Sequence, residues 1–205
     1  YLDAVIIRTF SHSVIEEFAK WSTIPVINAL TDLHHPCQAM ADMMTIFEKK
    51  GKLEGIKIAY IGDGNNVANS LIEASALTGV NIFLATPQGC EPLEEILQRA
   101  KTMTGVNLSD NAFEAVLDAD VIYTDVWLSM GEEQNTEKRE KFKSFQVNSN
   151  LLKKAKPDAI VMHCLPAHRG EEITDEVLDG PQSVVLDQAE NRLHTEKAIL
   201  EFLLL

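Results

Sequence analysis

Four short stretches and one arginine hold most of the side chains able to do chemistry. His34-His35-Pro36-Cys37-Gln38 opens a predicted helix, and Arg8 closes a strand-like run. Gly62-Asp63-Gly64-Asn65-Asn66 follows another apolar run. Asp125-Val126-Trp127-Leu128-Ser129-Met130-Gly131 and His163-Cys164-Leu165-Pro166 stand at the ends of two more. A helix N-terminus beside His and Arg suits an anion or a polarised carbonyl. Asp125 could bind an ammonium group, Ser129 could add a hydrogen bond, and Gly131 gives the loop freedom to close. Cys164 can touch whatever lies between these strand ends.

Each group has a plainer reading. Asp125 could cap the next turn. Cys164 taken alone is a small core residue. His34 and His35 could lie on the surface, or one could brace the helix start. A zinc site from His34, His35, Cys37 and the distant His163-Cys164 pair matches no standard ligand spacing. A Cys–His dyad from 163 and 164 fails because neighbours on a strand point to opposite faces. The strand–Gly-x-Gly–helix arrangement at 62–66 suggests a dinucleotide loop, but the third glycine would fall at Val67. The acidic residue expected after the second strand is missing from Leu84-Ala85-Thr86-Pro87. Glycines for a tight turn explain Gly62 and Gly64. They leave Asp63, Asn65 and Asn66 as polar groups at the carboxyl end of a strand, where open parallel sheets bind ligands.

The elements that must position these groups read as α/β. Residues 4–7 and 24–28 are short strands flanking a helix over 13–20, with Ser13 as its cap and Glu16 three residues on. Pro36 opens a helix to about residue 50, and Gly51 stops it. Strands then follow at 56–61, 80–85, 121–124, 159–163 and 184–186, with helices between them. The apolar runs are those of strands buried on both faces. The expected fold is a parallel sheet with helices on both faces, Rossmann-like, preceded by the end of a second α/β domain. The boundaries fall at 1–35, a joining helix at 36–50, the main domain at 51–187 and a closing helix at 188–205. That last helix is expected to pack back on the first unit.

The chain has 205 residues with 45% hydrophobic and 24% charged, ordinary for a globular protein. A net charge of −13 argues against nucleic acid and anionic membrane as partners. No apolar run reaches the length of a membrane span. Three scattered cysteines make no disulfide framework, and a reducing, cytoplasmic setting is expected. Tyr1 opens almost directly on a strand, so the sequence is expected to start inside a longer protein.

Together, HHPCQ at 34–38, DVWLSMG at 125–131 and HCLP at 163–166, in this order and spacing, resemble the ornithine carbamoyltransferases. The resemblance spans essentially the whole chain. It implies two α/β domains, one for carbamoyl phosphate and one for L-ornithine, with the active site between them. It implies a homotrimer or a multiple of trimers, no cofactor and no metal. Arg8, His35 and Gln38 resemble the residues that hold the carbamoyl and phosphate groups, and Arg192 resembles an arginine that also reaches carbamoyl phosphate. Asn66 and Asp125 match the residues that hold the α-amino and α-carboxylate end of ornithine. Ser129 and Met130 belong to the loop that closes over it. Cys164 and Leu165 match positions beside the side-chain amine and the carbamoyl group. The family's Ser-Thr-Arg-Thr-Arg phosphate motif is absent from this sequence and is expected upstream of Tyr1.

The implied reaction is attack of the neutral δ-amine of ornithine on the carbamoyl carbon, giving L-citrulline and phosphate, in arginine metabolism. His35, Arg8 and the Leu165 carbonyl would fix the carbamoyl group, and Cys164 would place the amine without acting as a nucleophile. Two other readings stay open. One is a carbamoyltransferase for a different acceptor, such as putrescine, acetylornithine or aspartate. The other is a non-catalytic amino-acid-binding fragment.

Overall fold

Strands and helices alternate along the chain because β-branched runs are punctuated by glycine and by capping residues. The computed structural model describes residues 1–129, 132 and 134–205. Strand β1 (Val5–Arg8), helix α1 (His12–Trp21) and strand β2 (Val26–Leu30) form a first unit, with β1 and β2 parallel. The helix α2 (Pro36–Lys50) leads onward. Its end is set by Gly51, whose φ of 74° is left-handed and whose N–H donates to the Phe47 carbonyl, as glycine there allows.

The second unit is a five-stranded parallel sheet. Its strands are β3 (Lys57–Ile61), β4 (Asn81–Ala85), β5 (Val106–Ser109), β6 (Val121–Thr124) and β7 (Ile160–His163), in the order β5-β4-β3-β6-β7. The crossovers carry α3 (Asn66–Thr78), α4 (Glu94–Lys101), α5 (Ala112–Val116), α6 (Thr136–Phe142) and α7 (Ser149–Leu152); α8 (Asp175–Leu178) and α9 (Val185–Leu204) follow. Ile58 and Tyr60 of β3 enter one core with residues of α2, α3 and α4. Ala59 and Ile61 enter the other, with α5, α6, α7 and α8. That period-two split is what a strand covered on both faces requires. Each fully buried isoleucine there contributes roughly 2 kcal/mol. The chain is thus α/β, with helices on both faces of a parallel sheet, as its apolar runs predict.

The strand order matters for function. Chain order reverses between β3 and β6, so the connections leaving their carboxyl ends run in opposite directions and open a crevice at the switch point. The glycine-rich turn lies there. Its Gly64 is required by close approach: a Cβ would fall 2.2 Å from the backbone nitrogen of Pro92. The Gly64 N–H donates to the Cys90 carbonyl at 2.8 Å. The face that a dinucleotide pyrophosphate would approach is filled by the chain's own segment 90–92.

Two local expectations are corrected, and two elements are added. The strand expected at 184–186 is the start of α9; only an isolated bridge, Ser183 to Val161, continues the sheet there. Val184 and Val185 are β-prone, yet the helical pattern from Leu186 onward overrides them. Strand β5 and helix α5 were not expected, because β5 exposes Asn107 and Leu108 and shows no continuous apolar run. Ser13 lies inside α1; the capping position is Ser11, whose hydroxyl bonds that of Ser13 rather than a helix N–H.

The two units are tied at α3. Asn66 Nδ2 donates to the Thr31 carbonyl at 2.6 Å, Asn69 Nδ2 to the Leu33 carbonyl at 3.1 Å, and the His35 N–H to Ser70 Oγ at 2.7 Å. Helix α9 lies along α2, with Asn191 Nδ2 donating to Thr45 at 3.0 Å and to Glu48 at 2.7 Å.

Candidate active site

The crevice between β3, β6 and β7 gathers several of the predicted residues. Asp125 follows β6 directly and is 4% exposed. Its Oδ1 accepts from Cys164 Sγ at 2.8 Å, and its Oδ2 accepts from Asn65 Nδ2 at 2.8 Å. Burial pushes the Cys164 thiol well above its ordinary value, and the Asp125 charge and hydrogen bond push it the same way. The thiol therefore stays protonated and donates. This is opposite to the electropositive setting that makes a cysteine nucleophilic.

Asn65, read from the sequence only as a strand-end polar group, is the neighbour that holds Asp125. It is the N-cap of α3: its Oδ1 accepts from the Val67 and Ala68 N–H groups. That fixes the amide's orientation, and its NH2 must then face Asp125. An Asn just before an apolar helical run is a capping signal that could have singled it out. Asn66, expected to hold ornithine, turns instead to Thr31.

The turn after β7 is braced from below. His163 Nδ1 accepts from the Leu165 N–H at 2.9 Å, and its Nε2 lies 3.0 Å from Glu172 Oε1. The first contact requires an unprotonated Nδ1, so Nε2 carries the proton and donates. Glu172 is fully buried and also accepts from the His168 N–H. Leu165 has a left-handed φ of 57°, and no described residue donates to its carbonyl. Asp125, His163 and Cys164 bring ligand-capable atoms within 4.8 Å of one another. Both His163 nitrogens and the thiol are already engaged in the contacts above. His34, His35 and Cys37 do not join that group among the described residues.

A second cluster sits at the start of α2. His35 is 8% exposed, and its Nδ1 is enclosed without a partner among the described residues. Burial, with the charges of Arg192 and Arg8 behind it, lowers its pKa to about 4. It is a neutral imidazole at pH 7, able to donate one hydrogen bond. Gln38 is buried, and its Oε1 accepts from Arg192 Nη1 at 2.8 Å. Arg192 also pairs with Glu196 one turn on, through Nη2 at 2.6 Å. Arg8 is exposed at the end of β1, beside a register shift between Ile7 and Arg8.

Ser129 closes a third group. Its N–H donates to Glu132 Oε2 at 3.2 Å, and the Glu132 N–H returns to the Ser129 carbonyl at 3.0 Å. Lys138 Nζ then bridges Glu132 at 2.7 Å and Asp63 at 2.8 Å. The loop after β6 is thereby linked to the turn after β3. Trp127 is buried and stacks on Phe142, with ring centroids 5.9 Å apart. Met130, expected in the closing loop, lies outside the described residues.

The site thus offers an acid–thiol pair with hydrogen-bonding capacity for an amine, and a cluster of neutral His, Gln and Arg suited to a carbonyl and an anion. Comparison with known proteins points the same way. Residues 54–203 match the family model for the aspartate/ornithine carbamoyltransferase Asp/Orn-binding domain, and residues 1–48 that for its carbamoyl-P-binding domain. The chain is 58% identical to an ornithine carbamoyltransferase of Syntrophus aciditrophicus over 207 residues, covering 100% of this chain and 68% of the relative. It is 54% identical to an anabolic ornithine carbamoyltransferase of Pyrococcus furiosus, covering 98% of this chain and 65% of the relative. The solved Pyrococcus furiosus ornithine carbamoyltransferase superposes with a TM-score of 0.96 at 53% identity, over 100% of this chain and 67% of that one. The Giardia lamblia ornithine transcarbamoylase does so with 0.93 at 33% identity, over 99% and 70%. The chain spans about two thirds of the length of these relatives, and it belongs to the aspartate/ornithine carbamoyltransferase family.

Proposed function

We propose that the protein transfers the carbamoyl group of carbamoyl phosphate to the δ-amine of L-ornithine, giving L-citrulline and phosphate. The observation that carries this reading is the Asp125–Cys164 pair at the switch point. It is an acceptor for ammonium and amine N–H groups beside a protonated thiol. The family match and the names of the relatives support it.

In this reading Asp125 and Ser129 take the α-amino end of ornithine, and Asn66 and Met130 complete that subsite. Asn66 keeps its bond to Thr31 and still has Oδ1 and a second amide N–H to offer. Cys164 faces the δ-amine and orients its lone pair, while the Leu165 carbonyl meets the carbamoyl group. His35 donates from its neutral ring to the carbamoyl oxygen, where negative charge grows in the transition state. Gln38 holds the carbamoyl amide, and Arg8 and Arg192 meet the phosphate. The amine nitrogen bonds to the carbamoyl carbon. The tetrahedral intermediate then expels phosphate with the electron pair of the C–O bond, and the amine proton passes to that phosphate. Positioning and fixed dipoles supply most of the rate gain. Closure of the 127–131 loop over bound substrate is what would exclude the water that otherwise hydrolyses carbamoyl phosphate.

The arginine-biosynthetic direction follows the relative named anabolic. A homotrimer or multiple of trimers in the cytoplasm is the assembly and setting proposed on the same resemblance. The test is ureido-product formation by the full-length gene product, offered ornithine, putrescine, acetylornithine and aspartate in parallel. Citrulline from ornithine alone is expected. No product from any acceptor would leave an amino-acid-binding module as the better account.

A further inference from the structure

Asp42 plays no part in the reaction above, yet it is fully buried where α2, β6 and α9 meet. Its Oδ1 accepts from Gln38 Nε2 at 2.8 Å and from Gln188 Nε2 at 2.7 Å, and its Oδ2 bonds the Tyr123 hydroxyl at 3.0 Å. Residues 38 and 42 are one turn apart on α2, and 188 and 192 are one turn apart on α9. Two i,i+4 pairs therefore face each other across the helix contact.

The consequence lies in the amides. A glutamine side chain has one donor end and one acceptor end. With Nε2 of Gln38 bound to Asp42, its Oε1 must face the other way, where it accepts from Arg192 Nη1 at 2.8 Å. With Nε2 of Gln188 bound to the same oxygen, its Oε1 faces β7 and accepts from the His163 N–H at 2.9 Å. His163 is the residue before Cys164. Gln188 Nε2 also reaches the Tyr123 hydroxyl at 3.2 Å. Burial pushes the Asp42 carboxyl up to about 7, against the hydrogen bonds of Gln38, Gln188 and Tyr123. Either protonation state leaves Oδ1 free to accept, because the proton can sit between Oδ2 and Tyr123.

We propose that Asp42 is a positioning residue that sets both glutamine amides at once. It thereby couples the Gln38–Arg192 face of the site to the strand end that carries Cys164. The inference rests on the carbamoyl-transfer reading and adds to it a shared fixed point for the two substrate subsites. A merely structural buried acid would matter for stability alone. This one acts through acceptor geometry, so an isosteric amide that keeps one acceptor oxygen should serve.

The experiment uses the full-length protein and three variants: Asp42→Leu, Asp42→Asn and Gln188→Leu. Citrulline kinetics are run with each substrate varied in turn, beside thermal melts. Asp42→Leu is expected to raise the KM of both substrates about tenfold, the equivalent of losing one well-placed hydrogen bond on each side. Asp42→Asn should stay within about threefold of wild type, since its oxygen can still take both amides. Gln188→Leu should raise the KM for ornithine and leave that for carbamoyl phosphate unchanged. A folded Asp42→Leu protein with both KM values at wild type overturns the proposal. So does an Asn variant as impaired as the Leu variant. If Asp42→Leu does not fold, a Gln188→Leu protein with an unchanged ornithine KM overturns it. A wild-type protein that makes no citrulline sinks the transferase reading and this inference together, which separates that failure from the failure of the Asp42 role alone.

Discussion

The Cys164 thiol donates to Asp125 Oδ1 at 2.8 Å across the switch-point crevice. Burial, and then the carboxylate's charge, hold the thiol protonated. Alkylation of Cys164 by iodoacetamide is therefore expected to be slow at pH 7, because the thiolate is the reactive form. Asp125→Asn, which removes the charge, should speed it. Peptide mass mapping distinguishes Cys164 from Cys37 and Cys90. A Cys164 that alkylates rapidly in the wild type at pH 7 would contradict the geometry. Cys164→Ser keeps a donor for Asp125, so carbamoyl transfer should persist at a reduced rate. Total loss would indicate a covalent role.

Asn65 does two jobs with one amide. It caps α3 through Oδ1 and steadies Asp125 through Nδ2. Asn65→Asp keeps the capping acceptor and replaces the donor to Asp125 with a like charge. The cap survives, but the two facing carboxylates repel, so stability should fall while the KM for ornithine rises. Asn65→Ala loses both functions and should cost about 1 kcal/mol in stability for the cap. Urea melts and steady-state kinetics on the two variants separate these effects. Equal ornithine KM values for the Asp variant and the wild type would remove Asn65 from the site.

His35 gives a pH signature. Its folded pKa is about 4, against the ordinary imidazole value of 6.5. The folded state binds this proton less readily than the unfolded state. The stability it contributes is present above pH 6.5 and is lost as pH falls from 6.5 toward 4. The linkage is worth up to about 3 kcal/mol. Urea titrations of the wild type and of His35→Gln should show a stability difference that shifts against the wild type across that window. Parallel pH dependences would mean that His35 titrates normally.

How much of this was legible in the sequence depends on what each residue touches. The β3 stretch, Ile56 to Ile61, announced a doubly buried strand because five apolar side chains in six positions leave no face for water. Asp125 and Cys164 were legible because strand ends in a parallel sheet face ligands. Strand β5 was not, since Asn107 and Leu108 are exposed at the sheet edge and break the apolar run. Val184 and Val185 favoured a strand locally, and the long helix behind them prevailed. Asp42 and Gln188 were invisible for a different reason. They lie 146 positions apart, and a lone acid within an apolar helix means nothing until its donors are known. Asn65 and Asn66 are adjacent and chemically identical. Only the helix cap decides which one meets Asp125.

Lys138 supplies the last test. Its ammonium group bridges Asp63, in the turn after β3, and Glu132, in the loop after β6. The Lys138 and Asp63 side chains are 15% and 11% exposed. Burial pushes the Asp63 carboxyl up, and Lys138 pulls it down. Lys138→Met keeps the aliphatic stem and removes the charge, which leaves Asp63 enclosed beside Glu132 without a cation. That should cost about 1–3 kcal/mol, the range for a buried polar group left unsatisfied. It should also loosen the tie between Ser129 and the β3 turn, because Glu132 accepts from the Ser129 N–H. The expected kinetic result is a higher KM for ornithine with the KM for carbamoyl phosphate unchanged, since no described contact joins this group to Gln38 or Arg192. Asp63→Asn in the same background should restore part of the stability by removing the stranded charge. It should not restore the ornithine KM, because the bridge between the two loops stays broken. If Lys138→Met leaves both KM values and the melting curve unaltered, the bridge holds nothing in place. Ser129 would then depend on the loop's own turn alone.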